Sequence, residues 1–198
     1  MKIKICLFFL FIILFFSNKE LLSNQYKIIA TIDNRIITEV DIINEIELLK
    51  IVNNKNLPNI KAVALNNLIT EEIKKKEINK SKITVDDKII NNYFISFIEK
   101  LKKNNSEIKN AYKSMIIEKI KIDYSWNKLI SKEYAWKVNI NIDEINEKIR
   151  SMYGEISEED FIKYKEDMIS KEQNKKLQVY SKYHLNKIKR STLVKYFE

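Results

Sequence analysis

The sequence predicts a mostly α-helical protein with a small β-sheet. Among its 198 residues there are only one glycine and one proline, which favours long uninterrupted helices. Apolar residues recur at helical spacing through most of the chain. Two β-branched, apolar runs, at residues 27–32 and 192–197, are instead typical of strands. We therefore expect a multi-helix core with a sheet built from the two ends of the chain.

The first 23 residues have the pattern of a secretory signal peptide. Lysines at positions 2 and 4 precede an apolar run at residues 5–16. This run is shorter than the roughly 20 residues that a membrane-spanning helix needs. The pattern predicts export to the periplasm, with no stable membrane insertion once the peptide is removed.

The cleavage position has two candidates, since Ser17 and Ser23 are both small residues before a plausible cut. An uncleaved anchor is the alternative. Cys6 lies inside the segment, so that cleavage leaves a mature chain without cysteine, and hence without disulfide or thiol chemistry.

The first structured element is predicted to be a β-hairpin. Residues 27–32 and 35–37 are apolar and β-branched, and Asp33 and Asn34 between them tolerate a tight turn. Because an isolated hairpin is only marginally stable in water, it needs a third strand or a helix to cover it. We expect residues 192–197 to pair with it.

A helix cap follows the hairpin directly. Thr38 and Asp41 have capping-box spacing, in which the hydroxyl accepts a hydrogen bond from a helix amide and the carboxylate lies in the positive first turn. The spacing predicts that the helix buries five apolar residues, Val40, Ile43, Ile46, Leu49 and Ile51.

Five further helices are predicted. A second helix is expected after Pro58, and helix starts are expected again near Thr84 or Asp86 and near residues 140–145. The predicted later helices cover about residues 87–103, 106–137, 142–153 and 158–189, with a bend near residues 122–123 and a junction at Gly154.

Aromatic residues are concentrated in the middle helices. Phe94, Phe97 and Trp126 are predicted to be core residues. A helical domain with an open groove would leave other aromatic and methionine side chains partly exposed, and such adaptable surfaces bind varied apolar segments. The candidate substrate-binding residues are Tyr93, Tyr112, Met115, Tyr134 and Trp136.

Composition excludes several classes of enzyme. Gly154 stands alone, whereas a P-loop, a dinucleotide-binding turn and a nucleophile elbow each need at least two nearby glycines. His184 is the only histidine, and the partners that a catalytic triad or a zinc site requires are not evident around it. We therefore expect no catalytic residue, no metal and no cofactor.

The net charge of +9 suggests nucleic-acid binding as a competing class. The lysines are spread over every helix, and runs such as residues 74–76 and 187–190 are typical of solvated helix faces. We therefore expect no nucleic-acid partner.

The order of these motifs resembles that of the SurA-type periplasmic chaperones. Residues 32–38 followed by Asp41 resemble the opening strand, polar turn and Ile-Thr cap of that family. Residues 64–69 are similar to its second helix, residues 124–130 to the segment before its last N-domain helix, and residues 183–190 to its C-terminal helix.

The resemblance implies one chaperone domain over residues 24–198, divided into an N-terminal part (24–150) and a C-terminal helix and strand (158–198). Family members hold unfolded outer-membrane proteins, and many carry parvulin-type prolyl isomerase domains. Here residues 151–157 are too few for such a domain. The resemblance therefore implies an ATP-independent holdase for unfolded outer-membrane proteins or aromatic-rich peptides, without isomerase activity.

Two alternatives stay open from the sequence. One is an isomerase-related protein that acts through an unrecognised site, and the other is a membrane-tethered periplasmic scaffold. The sequence does not determine the oligomeric state.

Overall fold

The structure is a computed structural model that describes residues 27–53, 57–103 and 110–197. The predicted signal peptide at residues 1–23, which includes Cys6, lies outside the described residues, as do residues 104–105 between two of the predicted helices. No helix in the described part of the chain is both long enough and apolar enough to cross a bilayer.

The described chain is mostly helical and has one small antiparallel sheet, which confirms the predicted fold class. In chain order the elements are β1 (Ile28–Ile32), β2 (Arg35–Thr38), α1 (Glu39–Asn53), α2 (Ile60–Lys80), α3 (Asp87–Lys103), α4 (Asn110–Tyr134), a 3-10 turn (Ala135–Lys137), α5 (Ile142–Tyr153), α6 (Glu158–Ser191) and β3 (Val194–Tyr196).

The chain divides into two compact units. The first contains the described residues of 1–72, 95–115 and 192–198, and the second contains those of 73–94 and 116–191. A single domain over residues 24–198 stays a prediction.

The sheet of the first unit joins the two ends of the chain, as expected. Its strand order is β2-β1-β3, and both pairs are antiparallel. Ala30 lies opposite Ile37 on one side and Tyr196 on the other. The turn between β1 and β2 places Asp33 at φ 52, a left-handed conformation that aspartate adopts more readily than most residues.

The predicted cap of α1 is confirmed in atomic detail. The Asp41 carboxylate accepts hydrogen bonds from the Thr38 backbone N–H at 2.8 Å and from its hydroxyl at 2.7 Å. The Asp41 N–H donates in return to the Thr38 hydroxyl at 3.3 Å. Two orphan donors are satisfied reciprocally, which fixes where the helix begins.

The buried face of α1 differs from the predicted one. The fully buried side chains are Ile42, Glu45 and Leu48, whereas Val40 and Ile43 are exposed. The helix carries apolar residues on most of its faces, and the sequence spacing alone therefore does not determine which face is buried. Glu45 is tolerated inside because its carboxylate accepts a 3.0 Å hydrogen bond from the Asn67 amide.

The core of the second unit centres on α4. Trp126 is 2% exposed, in agreement with its predicted core position. It lies in a cluster of buried residues that comprises Ile78, Ile122, Trp126, Leu129 and Ile130. Residues 122–123, near which a bend was predicted, lie inside one continuous described helix, Asn110–Tyr134.

Short polar side chains also begin the later helices. The starts near Asp86 and near residues 140–145 were predicted, whereas the cap at Ser157 was not. Asp86 accepts from the Lys88 N–H ahead of α3, and Asn141 accepts from two amides at the start of α5. The Ser157 hydroxyl accepts from the Asp160 N–H at 3.1 Å where α6 begins. Gly154 ends α5 at φ 67 and ψ −142, a backbone conformation that is strained for any other residue.

Candidate functional site

The five candidate binding residues fall in different parts of the chain. Tyr112 and Met115 belong to the first unit, and Tyr93, Tyr134 and Trp136 belong to the second. Only Tyr134 and Trp136 are brought together, at the C-terminal end of α4 and in the turn that follows it.

Tyr112 and Met115 contribute little exposed surface. Tyr112 is only 9% exposed, and its hydroxyl donates a hydrogen bond to the Glu47 carboxylate. Met115 is half-buried. The partial exposure that we expected of Tyr112 is therefore missing, because a side chain on α1 provides a partner for its hydroxyl and the ring packs inward.

Tyr93 is exposed but lies at a separate place in the second unit. Its side chain is 53% exposed, and its ring contacts that of Tyr124 at a centroid distance of 5.4 Å. Tyr124 precedes Tyr134 by ten residues, or about 15 Å along the helix. Tyr93 and Tyr134 therefore have different aromatic neighbours.

Among the described residues, a group of neighbouring aromatic side chains with exposed members lies where α4 meets α6. We call it the aromatic strip and define it as Tyr134, Trp136, Tyr180 and Tyr183. Tyr134 and Tyr180 stack with a centroid distance of 5.0 Å and an interplanar angle of 14°. Tyr183 lies one helical turn beyond Tyr180 and is 61% exposed. The half-buried stacked pair thus supports an exposed neighbour.

Trp136 is 78% exposed, yet two interactions fix its position. Its indole N–H donates to the Glu133 carbonyl at 2.9 Å. The Lys137 amine lies 4.8 Å from the Trp136 ring centroid and 5.4 Å from that of Tyr134. These cation–π contacts link the exposed indole to the stacked tyrosines.

The inner side of the strip is anchored to the core by hydrogen bonds. The Tyr134 hydroxyl and His184 Nδ1 lie 2.8 Å apart. The His184 ring in turn packs edge-on against Trp126, at a centroid distance of 5.5 Å. The Trp126 indole N–H donates to the Ser181 hydroxyl at 2.8 Å. Two polar contacts therefore join α4 to α6 directly below the exposed rings.

Burial shifts the pKa values of the two polar groups at this anchor. The pKa of Tyr134 is raised above its ordinary value, first by burial and then by Tyr183 and Glu133. The pKa of His184 is lowered, chiefly by burial, with Glu77 and Glu133 acting in the opposite direction. Both shifts favour the neutral forms, which suits an apolar binding surface.

The sequence prediction missed two residues of the strip, Tyr180 and Tyr183, and also Lys137, whose amine contacts the strip. Tyr180, Tyr183 and His184 do occur at helical spacing in the sequence. That spacing shows that they share a face of α6, but it does not identify the element against which the face packs.

Catalytic and metal-binding constellations were sought in the same region. No group of three or more His, Cys, Asp or Glu side chains that could hold a metal occurs in the described residues. The His184 side chain is 15% exposed, and its Nε2 lies 4.0 Å from the Glu77 carboxylate. The observed contacts of His184 are those of a packing residue.

Comparison with known proteins identifies no relative. No protein-family model matches this chain, and no curated protein matches it.

Proposed function

We propose that this protein is an ATP-independent periplasmic chaperone that holds unfolded outer-membrane proteins on the aromatic strip. The observation that carries the proposal is the exposure of Trp136 and Tyr183 beside the anchored pair of Tyr134 and Tyr180. Tyrosine and tryptophan are enriched at interfaces, where the apolar ring is buried and the polar group keeps a hydrogen-bond partner.

The strip is suited to weak binding that does not need an energy source. A tryptophan side chain buries roughly 150–250 Å² on full burial, so that a side chain 78% exposed still offers about 120–200 Å². At about 25 cal/mol per Å², this area corresponds to about 3–5 kcal/mol before losses. Ordering an unfolded client opposes binding. Micromolar affinity corresponds to about 8 kcal/mol, so that Trp136 alone does not provide it and the other residues of the strip must contribute the rest.

The resemblance to SurA-type chaperones supports the same function. The resemblance rests on the order of the hairpin, the capped helices and the C-terminal helix and strand, and these elements follow one another in that order in this chain. Lysines next to the strip, among them Lys137 and Lys182, favour clients that carry acidic residues.

The test is aggregation of an unfolded outer-membrane barrel, measured by light scattering without ATP. The purified protein should suppress scattering at near-stoichiometric ratios. Trp136→Ala together with Tyr183→Ala should weaken client binding roughly tenfold or more, because interface aromatics dominate such energetics. Both side chains are exposed, and we therefore expect thermal stability to change little.

Two matched variants make the assay specific. Ile162→Ala removes a side chain that is 50% exposed on α6 but lies outside the strip, and it should leave suppression unchanged. Tyr93→Ala tests the separate exposed tyrosine. If a folded protein suppresses nothing, or if Ile162→Ala weakens suppression as much as the strip variant does, the proposal is wrong. A scaffold with one dedicated partner then becomes the better hypothesis.

A further inference from the structure

The outer edge of β3 presents backbone groups that β1 does not use. The Asp33 N–H donates to the Leu193 carbonyl, and the Phe197 N–H donates to the Ile29 carbonyl at 3.0 Å. Residues in an antiparallel strand alternate between facing their partner and facing away. Val194 and Tyr196 therefore direct their N–H and C=O groups away from β1. No strand in the described part of the chain pairs with this edge.

The side chains at this edge are apolar at both ends and charged in the middle. Leu193, Tyr196 and Phe197 are 63%, 65% and 47% exposed. Lys195 lies between them and is also exposed. An open edge with exposed apolar side chains readily accepts another strand, and a central lysine restricts which strand it accepts.

A second copy of this chain does not fit the edge well in the register that uses both outward-facing residues of each strand. The register in which Val194 of each copy bonds to Tyr196 of the other places Lys195 directly opposite Lys195. Those residues form a non-hydrogen-bonded pair, in which the Cα atoms lie only about 4.5 Å apart. Like charges at that spacing are destabilising, whereas opposite charges attract.

We infer that the outer edge of β3 binds, as an added antiparallel strand, an extended segment of another polypeptide in which an acidic residue is flanked by β-branched residues. The acidic residue lies opposite Lys195, and its two neighbours make the backbone hydrogen bonds with Val194 and Tyr196. The backbone provides the affinity in this mode of recognition, and the central charge pair provides the selectivity. The inference goes beyond the proposed function and does not use the aromatic strip.

A short labelled peptide tests the inference directly. The probe is fluorescein-labelled Thr-Thr-Val-Glu-Val-Thr-Thr, and its binding to the purified protein is followed by fluorescence anisotropy. Methylation of the two valine backbone nitrogens removes the donors that the edge requires, and we expect roughly tenfold weaker binding or more. Replacing the glutamate of the probe with lysine should weaken binding about threefold to tenfold.

Variants of the protein separate the backbone and charge contributions. Val194→Pro removes an outward N–H while it keeps the hydrogen bonds to β1, and it should weaken probe binding roughly tenfold. Lys195→Glu should invert the preference, so that the lysine probe binds more tightly than the glutamate probe. Trp136→Ala should leave both affinities unchanged. Circular dichroism and thermal melting establish that each variant is folded.

Three outcomes would overturn the inference. The first is equal affinity for the methylated and unmethylated probes. The second is an unchanged probe preference in Lys195→Glu. The third is a dimer seen by analytical ultracentrifugation that Val194→Pro dissociates, since a second copy would then occupy the edge. None of these outcomes bears on suppression of aggregation, so that the inference and the proposed function can fail separately.

Discussion

The hydrogen bond from Trp126 to Ser181 should be one of the main links between α4 and α6. Trp126 is 2% exposed, and its N–H donates to the Ser181 hydroxyl at 2.8 Å. Ser181→Ala leaves this buried donor without its acceptor, which costs about 1–3 kcal/mol. Trp126→Phe instead removes the donor and one ring, at a cost below the roughly 3–5 kcal/mol of a tryptophan-to-alanine change.

The double variant, Trp126→Phe with Ser181→Ala, gives the coupling free energy between the two residues, which is more informative than either single change. Once Trp126→Phe has removed the N–H, the Ser181 hydroxyl has lost its donor, and Ser181→Ala should cost only about 0.5 kcal/mol or less. We therefore expect a coupling free energy of about 1–2 kcal/mol between the two residues. A chain of this size should lose about 2–4 °C in melting temperature for each kcal/mol.

Urea unfolding followed by circular dichroism at 222 nm measures all four proteins of this cycle. The slope of free energy against urea should stay constant, which shows that only stability has changed. Trp136→Phe combined with Ser181→Ala is the matched control, and its effects should add, since Trp136 bonds to Glu133 instead. Additivity within about 0.3 kcal/mol in the Trp126 cycle would refute the proposed link.

Two further changes test the electrostatics and the backbone. Burial lowers the pKa of His184, and the unfolded chain therefore binds more protons below about pH 6.5. Stability should be fully present above that pH and fall as the pH drops through the folded-state pKa, and His184→Gln should flatten the urea-midpoint profile between pH 7.5 and 5. Gly154→Ala should lower the free energy of unfolding in urea by about 1–3 kcal/mol through backbone strain at φ 67. No atom lies within 4 Å of the added methyl group, and a steric clash therefore adds nothing to this cost. An exposed neighbour, Glu155→Ala, should cost nothing measurable.

The features predicted best from the sequence are those determined by neighbours along the chain. Thr38 and Asp41 form their capping box within four residues, and Asn141 caps α5 in the same local way. Composition predicts strands within residues 27–32 and 192–197, and β1 and β3 lie inside these two runs. Their pairing followed from the instability of a lone hairpin, a general argument that needs no three-dimensional detail.

The features predicted poorly depend on contacts between distant residues. The spacing in α1 indicated that Val40 and Ile43 are buried. Because Asn67 donates a hydrogen bond to Glu45, the face of α1 that carries Glu45 is buried instead. The sequence predicts Tyr112 as part of the binding surface, but its hydroxyl donates a hydrogen bond to Glu47, which is 65 residues away in the chain. An aromatic side chain at helical spacing is equally compatible with core and surface, and only the partner decides between them.

Different residues of the aromatic strip should determine the stability of the fold and the affinity for a client. Tyr134 and Tyr180 are held by packing and by His184 before any client arrives, and they therefore lose little conformational entropy on binding. Trp136 is the opposite case, since it is largely exposed and contributes little to the fold. Ser181→Ala should consequently lower stability more than client affinity, and Trp136→Ala should lower affinity with little change in stability. If both variants instead lowered affinity only in proportion to stability, the strip would be part of the fold and would have no binding role of its own.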